Sequence, residues 1–239
     1  MKVTALSDFH GMLPKLEEET NLLLIAGDIS PFSIQGKKDE MWNWLETSFR
    51  EWIEEVPAER IILVAGNHDF VFEGSSKKKI YDWEKSFDDK LVYLENEYYE
   101  IGEEGKNSIK IFGTPYCHIF GNWPYMRSPD ILKEKFKSIP EDLDILITHD
   151  PVFNLGSSDV ILKPKYPSQA HFNHVGNPEL YERLMEMYDN NSVPKYVICG
   201  HIHSGEHQLE EHLGMKVANV ALMDEYCNEL VYKPLTFEI

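Results

Sequence analysis

Lysine and arginine are scarce in this chain. Its 239 residues hold 23 of them against 41 aspartates and glutamates, a formal net charge of −18. A surface of that sign repels nucleic-acid backbones and anionic lipid headgroups, so a nucleic-acid polymer is not an expected partner. Cysteine is scarce too, with three residues at 117, 199 and 227 and no paired spacing. An odd, scattered set argues against a disulfide framework and for a reducing compartment. Cys199 closes the apolar run 196–199 and reads as a small buried hydrophobe. No apolar run is long enough to span a bilayer, and the first strand-like run starts at Lys2, which leaves no room for a signal peptide. A cytoplasmic protein without a membrane partner is expected.

Hydrophobic residues make up 42% of the chain, the share of a globular protein with a substantial core. Residues 2–7, 22–26 and 61–65 are short continuous apolar runs, as strands buried on both faces require. Between them, 39–55 carries Met41, Trp44, Leu45, Phe49, Trp52 and Ile53 near helical spacing, which predicts one helix with a core-facing stripe. Helices are also expected over 77–87, 129–137 and 178–188, and strands over 91–94, 98–101, 108–112, 144–148, 196–199, 216–221 and 230–238. The stretch 91–112 reads as antiparallel. No repeat, low-complexity segment or linker interrupts the chain, so 1–239 is expected to be a single layered α/β domain.

Polar residues follow several of these runs: Asp8-Phe9-His10, Gly27-Asp28, Gly66-Asn67-His68-Asp69, His149 and Gly200-His201-Ile202-His203. Ligands in layered α/β sheets bind outside the carboxyl ends of strands, so five such ends meeting at one edge would join residues far apart in sequence. Their candidate ligands are two carboxylates, Asp8 and Asp28, an amide oxygen and several imidazoles. That is the ligand set of a two-metal hydrolase, and phosphoester cleavage is the chemistry it suits best. The oxygen and imidazole donors suit manganese, iron or zinc better than calcium. With no cysteine in the motifs, a sulfur-rich structural zinc site is disfavoured.

The series Asp-x-His, Gly-Asp, Gly-Asn-His-Asp, His and Gly-His-x-His resembles the calcineurin-like metallophosphoesterase superfamily, and every position of its pattern is filled between residues 8 and 203. Gly113-Thr114-Pro115, Ile147-Thr148-His149, His174-Val175-Gly176 and the closing 235–239 are similar to the metallophosphoesterase-domain (MPPED-like) subgroup. The resemblance implies an α/β/β/α sandwich with mixed sheets and two divalent transition metals, manganese foremost. It places Asp8, His10 and His203 on the first metal, Asn67, His149 and His201 on the second, and Asp28 between them. A bridging carboxylate offsets the repulsion of two dications roughly 3.5–4 Å apart. Such a pair lowers the pKa of a bridging water and yields hydroxide near neutral pH for in-line attack on phosphorus. His68 would protonate the leaving group, with Asp69 orienting it or, more simply, capping a turn.

The subgroup implies small-molecule phosphodiesters as substrates. The alternatives are a phosphomonoesterase, including a protein phosphatase, a nuclease, or a scaffold of the same fold that binds metal without catalysis. Scaffolds of that kind lose ligands, and the set here is intact. Residues 150–173 form a long aperiodic stretch with the character of a lid, from which Lys163, Lys165, His171 and His174 would face phosphate. His118, Tyr116, Trp123 and Tyr125 are candidates for a substrate wall, and His207 and His212 for ordinary surface residues.

Overall fold

The apolar runs become strands of two facing sheets. In the computed structural model, residues 1–103, 106–162 and 174–239 are described. The first sheet joins β1 (Lys2–Leu6), β2 (Thr20–Ala26), β3 (Ala58–Val64) and β4 (Leu91–Tyr93), all parallel, with β11 (Leu235–Glu238) antiparallel beside β1. The second has the order β5 (Glu97–Glu103), β6 (Lys106–Thr114), β7 (Ile145–Thr148), β8 (Tyr196–Cys199), β10 (Met215–Asn219), β9 (Glu210–His212). Strands β6, β7, β8 and β10 are parallel, and β5 and β9 are antiparallel edges.

Register explains why the runs are apolar throughout. Ala5, Leu24, Ile62 and Val92 lie side by side and belong to the core between the sheets, with Ile111, Ile145 and Ile198. The next row, Leu6, Ile25, Leu63 and Tyr93, belongs to the core under the helices, because successive side chains leave opposite faces of a strand. Helices α1 (Lys38–Glu46), α2 (Ser48–Glu55) and α4 (Lys77–Lys85) bury Met41, Trp42, Leu45, Phe49, Ile53 and Trp83 in that outer core. On the second sheet, α5 (Pro129–Phe136) and α6 (Pro178–Asp189) bury Leu132, Phe136, Leu180, Leu184 and Met187 over Phe112, Leu146 and Val197. The layers are helix, sheet, sheet, helix, as expected. Among the described residues, no helix is long and apolar enough to cross a membrane.

Three expectations are corrected. The helix over 39–55 is two helices, broken at Thr47, whose hydroxyl donates to the Asn43 carbonyl at 2.7 Å. Such a side-chain bond competes with the helical ladder. Strand β4 is parallel to β3 rather than antiparallel to its successor, because α3 (Phe70–Glu73) and α4 carry the chain back across the sheet. The last strand starts at Leu235, not residue 230.

The sheets approach closely at Gly113 on β6. A Cβ there would stand 2.5 Å from Leu94 Cβ and 2.9 Å from Val64 Cγ2. Gly113→Ala is therefore expected to destabilise the fold by about 1–3 kcal/mol through overpacking. Urea denaturation checks this as a lowered midpoint at unchanged slope.

Candidate metal centre

The motif residues sit on the loops that leave the carboxyl ends of β1, β2, β3, β7 and β8. Cross-links between the two sheets bring these ends together. Ser7 donates its N–H to Val220 and accepts from Leu222, and the His149 ring reaches the Ala26 carbonyl at the end of β2. Asp8, His10, Asp28 and His201 all have left-handed backbones, with φ of 53°, 41°, 54° and 72°. Each such non-glycine residue costs on the order of 1–3 kcal/mol and persists only where its surroundings impose it. Gly27 (φ 94°) makes the close approach possible, since a Cβ there would stand 2.6 Å from His149 Nδ1 and 2.7 Å from the Gly66 nitrogen.

Two ligand groups result. Asp8, His10 and His203 offer atoms within 4.8 Å of one another, and so do Asp28, His149 and His201. Asp28 Oδ2 lies between the groups, 3.8 Å from His10 Nε2 and 3.4 Å from His149 Nε2. Asn67 Oδ1 is 2.9 Å from His149 Nε2. All seven residues expected to hold metal are thus gathered in one place.

Most of the donor atoms are oriented by contacts outside the cluster. One oxygen of each carboxylate is tied to the protein: Asp8 Oδ2 accepts from the Ser7 hydroxyl (2.5 Å) and the His201 N–H (2.8 Å), and Asp28 Oδ1 accepts from the His68 N–H (2.7 Å). The other oxygens, Asp8 Oδ1 and Asp28 Oδ2, face the imidazoles. His149 Nδ1 donates to the Ala26 carbonyl at 2.8 Å, and His203 Nδ1 to that of Asp224 at 3.1 Å. A carbonyl only accepts, so each Nδ1 carries a proton, and Nε2 is the atom turned to the centre, where an ion would replace its proton.

The electrostatics fit a cation pair. Burial disfavours a charged His203, but its hydrogen bond to Asp8, contact with Cys227 and the Asp8 charge push its pKa up to about 11. Burial acts likewise on His149, yet the charge and hydrogen bond of Asp28 push it up to about 10. The pocket therefore draws positive charge to these two positions, and metal ions compete there with protons. Burial holds His10 and His201 down at about 4, with the neighbouring His149 adding to the effect at His201, so both are the neutral imidazoles that bind metals. His10 Nδ1 is buried without a hydrogen-bond partner. Oxygen and imidazole donors with no thiolate in either group suit divalent transition metals.

Asp69 departs from expectation. Its two oxygens accept the backbone N–H groups of Asp28, Ile29, Ser30 and Gly66 at 2.8–3.1 Å, in place of the His68 ring. It fastens the β2 loop to the β3 loop. Burial and the Asp28 charge push its pKa up to about 6 against the pull of those donors. His68 Nδ1 is buried without a partner, and its Nε2 is 4.0 Å from Asp28 Oδ2.

The expected substrate wall is also corrected. Of the four candidates only Trp123 lines the cleft, a cavity of about 270 Å³ over the centre. Tyr125 is fully buried with its hydroxyl 2.9 Å from that of Tyr93, Tyr116 is buried, and His118 Nδ1 donates to Asp150 at 2.8 Å. His174 bonds Asp159 at 2.7 Å rather than facing the centre, and Lys163, Lys165 and His171 lie outside the described residues. His207 is not an ordinary surface residue: its ring packs, tilted, on Tyr232 at 3.7 Å and approaches the His203 carbonyl at 3.1 Å. Sequence reasoning missed Phe32, Phe120, Glu225 and Cys227, which line the cleft. The two phenylalanines had one signal, an aromatic ring in a polar loop beside a motif. Glu225 and Cys227 lie beyond the last motif and had none.

The sequence profile of the calcineurin-like phosphoesterases matches residues 1–205, and the chain belongs to that family. It is 26% identical over 224 residues to human "Metallophosphoesterase domain-containing protein 1", spanning 85% of this chain and 61% of that protein. It is 28% identical over 211 residues to "Probable rhamnogalacturonate lyase C" of Emericella nidulans, spanning 86% of this chain but 17% of that protein. The chain thus covers less than two thirds of either relative. A crystal structure with 19% sequence identity superposes with a TM-score of 0.62 over 91% of this chain and 89% of its own, which shows a common fold. Family and ligand groups together support metal-dependent phosphoester hydrolysis.

Removing Asp69 strands four buried donors, each costing about 1–3 kcal/mol when left without an acceptor. Asp69→Ala is expected to lower the unfolding free energy by at least about 3 kcal/mol. A variant as stable to urea as the parent protein would return Asp69 to the role of orienting His68.

Proposed function

We propose that this chain, acting as a single domain, hydrolyses small phosphodiesters with the help of two divalent metals, manganese foremost. The observation that carries the proposal is Asp28 Oδ2, set between ring nitrogens of both ligand groups. Asp8, His10 and His203 would hold the first metal, Asn67, His149 and His201 the second, and Asp28 both. When bound, such a pair supplies positive charge to the phosphoryl oxygens and lowers the pKa of water.

The remaining work falls to the chain. The anchored oxygens of Asp8 and Asp28 keep the free ones aimed inward, so little reorganisation accompanies binding. His68 is 21% exposed at its side chain with Nε2 4.0 Å from Asp28 Oδ2, which supports its reading as the proton donor. It is fitted to give that proton to the leaving oxygen. A diester carries one negative charge. Among the described residues no lysine or arginine lines the cleft, and Glu225 does. A dianionic monoester would find less compensation there.

Chelator-treated protein is expected to lose hydrolysis of bis-p-nitrophenyl phosphate and regain it with Mn²⁺, with a higher kcat/KM for this diester than for p-nitrophenyl phosphate. Screening 2′,3′- and 3′,5′-cyclic nucleotides in the same assay extends the comparison. Undiminished turnover by verified metal-free protein, or a clear preference for the monoester, would overturn the proposal.

His68→Ala is expected to keep its metal content and slow hydrolysis by about 10²–10⁴-fold. The loss should shrink for a good leaving group such as p-nitrophenol, which scarcely needs a proton. Metal analysis and leaving-group dependence check both parts. Loss of a metal would make His68 a ligand instead.

A further inference from the structure

Three rings at the mouth of the cleft are left partly in water. Phe32 is 36% exposed and Phe120 49%, and Trp123 is half-buried. Each lies against an imidazole of the centre. Phe32 stacks on His10 at 3.9 Å and 18°, Trp123 leans on His68 at 4.7 Å, and Phe120 on His201 at 5.0 Å. Exposed aromatic surface is costly, and a contiguous rim of it around a polar floor marks a surface kept for a ligand.

Position narrows what that ligand is. His68 has two aromatic neighbours, Phe32, roughly perpendicular to it at 5.2 Å and 89°, and Trp123 at 4.7 Å. The stacking of Phe32 on His10 fixes the first wall. If His68 protonates the leaving oxygen, the group attached to that oxygen lies in the recess between these two rings. Apolar walls favour an apolar group, and aromatic walls favour a flat one through offset or edge-on ring contacts. An anionic leaving group would find, among the described residues lining the cleft, no lysine or arginine.

We infer that the recess beside His68, between Phe32 and Trp123, is a leaving-group subsite for an alcohol bearing a flat, uncharged aromatic ring. The inference rests on the phosphodiesterase reading above for its chemistry and on the ring geometry for its location. Glu225, Phe120 and Ile161 border the rest of the cleft, where the group that stays on phosphorus would lie.

Two methyl phosphodiesters test it, one with phenol as leaving group and one with a fluorinated isopropyl alcohol of similar acidity. With Mn²⁺-loaded protein, Trp123→Ala and Phe32→Ala are each expected to cut the phenyl-over-alkyl preference in KM about tenfold. Trp123→Phe, which keeps an aromatic wall, should restore most of it. Calorimetric titration with methyl phenylphosphonate and methyl methylphosphonate, whose P–C bond is inert and whose methoxide is a poor leaving group, gives the same comparison before turnover. There the phenyl preference in Kd should fall by a similar factor. Equal losses on the aryl and alkyl compounds, or an aryl preference that survives both alanine substitutions, would overturn the subsite. If the parent protein hydrolyses neither diester, the phosphodiesterase reading fails. The phosphonate titrations then decide by themselves whether the recess holds an aromatic ring.

Discussion

Asp8 and Asp28 are both buried, in a cluster that, among the described residues, contains no lysine or arginine. Two carboxylates removed from water this way need compensating positive charge, because the cost of a buried unpaired charge far exceeds what a fold of marginal stability tolerates. The remainder of the site follows from that need. Backbone N–H groups and the Ser7 hydroxyl satisfy one oxygen of each carboxylate. Imidazoles surround the others, and His149 and His203 are driven towards carrying charge. The same arrangement that makes these histidines strong proton acceptors makes them a strong cation trap. An acidic protein can then present an anion with a locally positive floor, since distant surface carboxylates are screened by salt over about 10 Å.

Holding this cluster requires two sheets. The first supplies Asp8, His10, Asp28 and Asn67 from the ends of β1, β2 and β3, and the second supplies His149, His201 and His203 from β7 and β8. Each of the two ligand groups combines residues from both sheets, so the site exists only if the sheets pack face to face in one register. The inter-sheet core of small and branched residues fixes that register, down to the close approach at Gly113. Asp69 then closes the join within the first sheet by collecting the donors of two loops on one carboxylate. The left-handed backbones of four candidate ligand residues show where packing has been spent on geometry.

Much of the architecture was legible because the strands are buried on both faces. Runs such as 22–26 and 196–199 cannot belong to a half-exposed sheet, and polar residues that interrupt them at fixed points stand out. The seven candidate ligand residues were visible for this reason and through the family pattern. Less visible were features set by contacts distant in sequence. Thr47 divides a helix through a bond to its own preceding turn, which periodicity alone does not report. Tyr116 and Tyr125 looked like cleft residues but are directed into the core, where Tyr125 pairs its hydroxyl with Tyr93. Asp69 sits beside His68 in sequence, yet its carboxylate turns to Gly66 and to the loop after β2.

By itself, the sequence determined the class of chemistry: which donor types are present, in what order, and that sulfur, lysine and arginine play no part in the candidate ligand set. Continuous apolar runs determined that strands buried on both faces would carry those donors, and the family pattern implied that the strands form two layers. Only the tertiary structure decided which atom of each donor faces the centre. That choice is made by partners such as the Ala26 and Asp224 carbonyls and the His68 and His201 N–H groups, which any residue type could supply from the backbone. It also decided that Phe32, Phe120 and Glu225, unmarked by any motif, would border the cleft. Side-chain identity is written along the chain, whereas orientation and neighbourhood arise from packing between segments far apart in it.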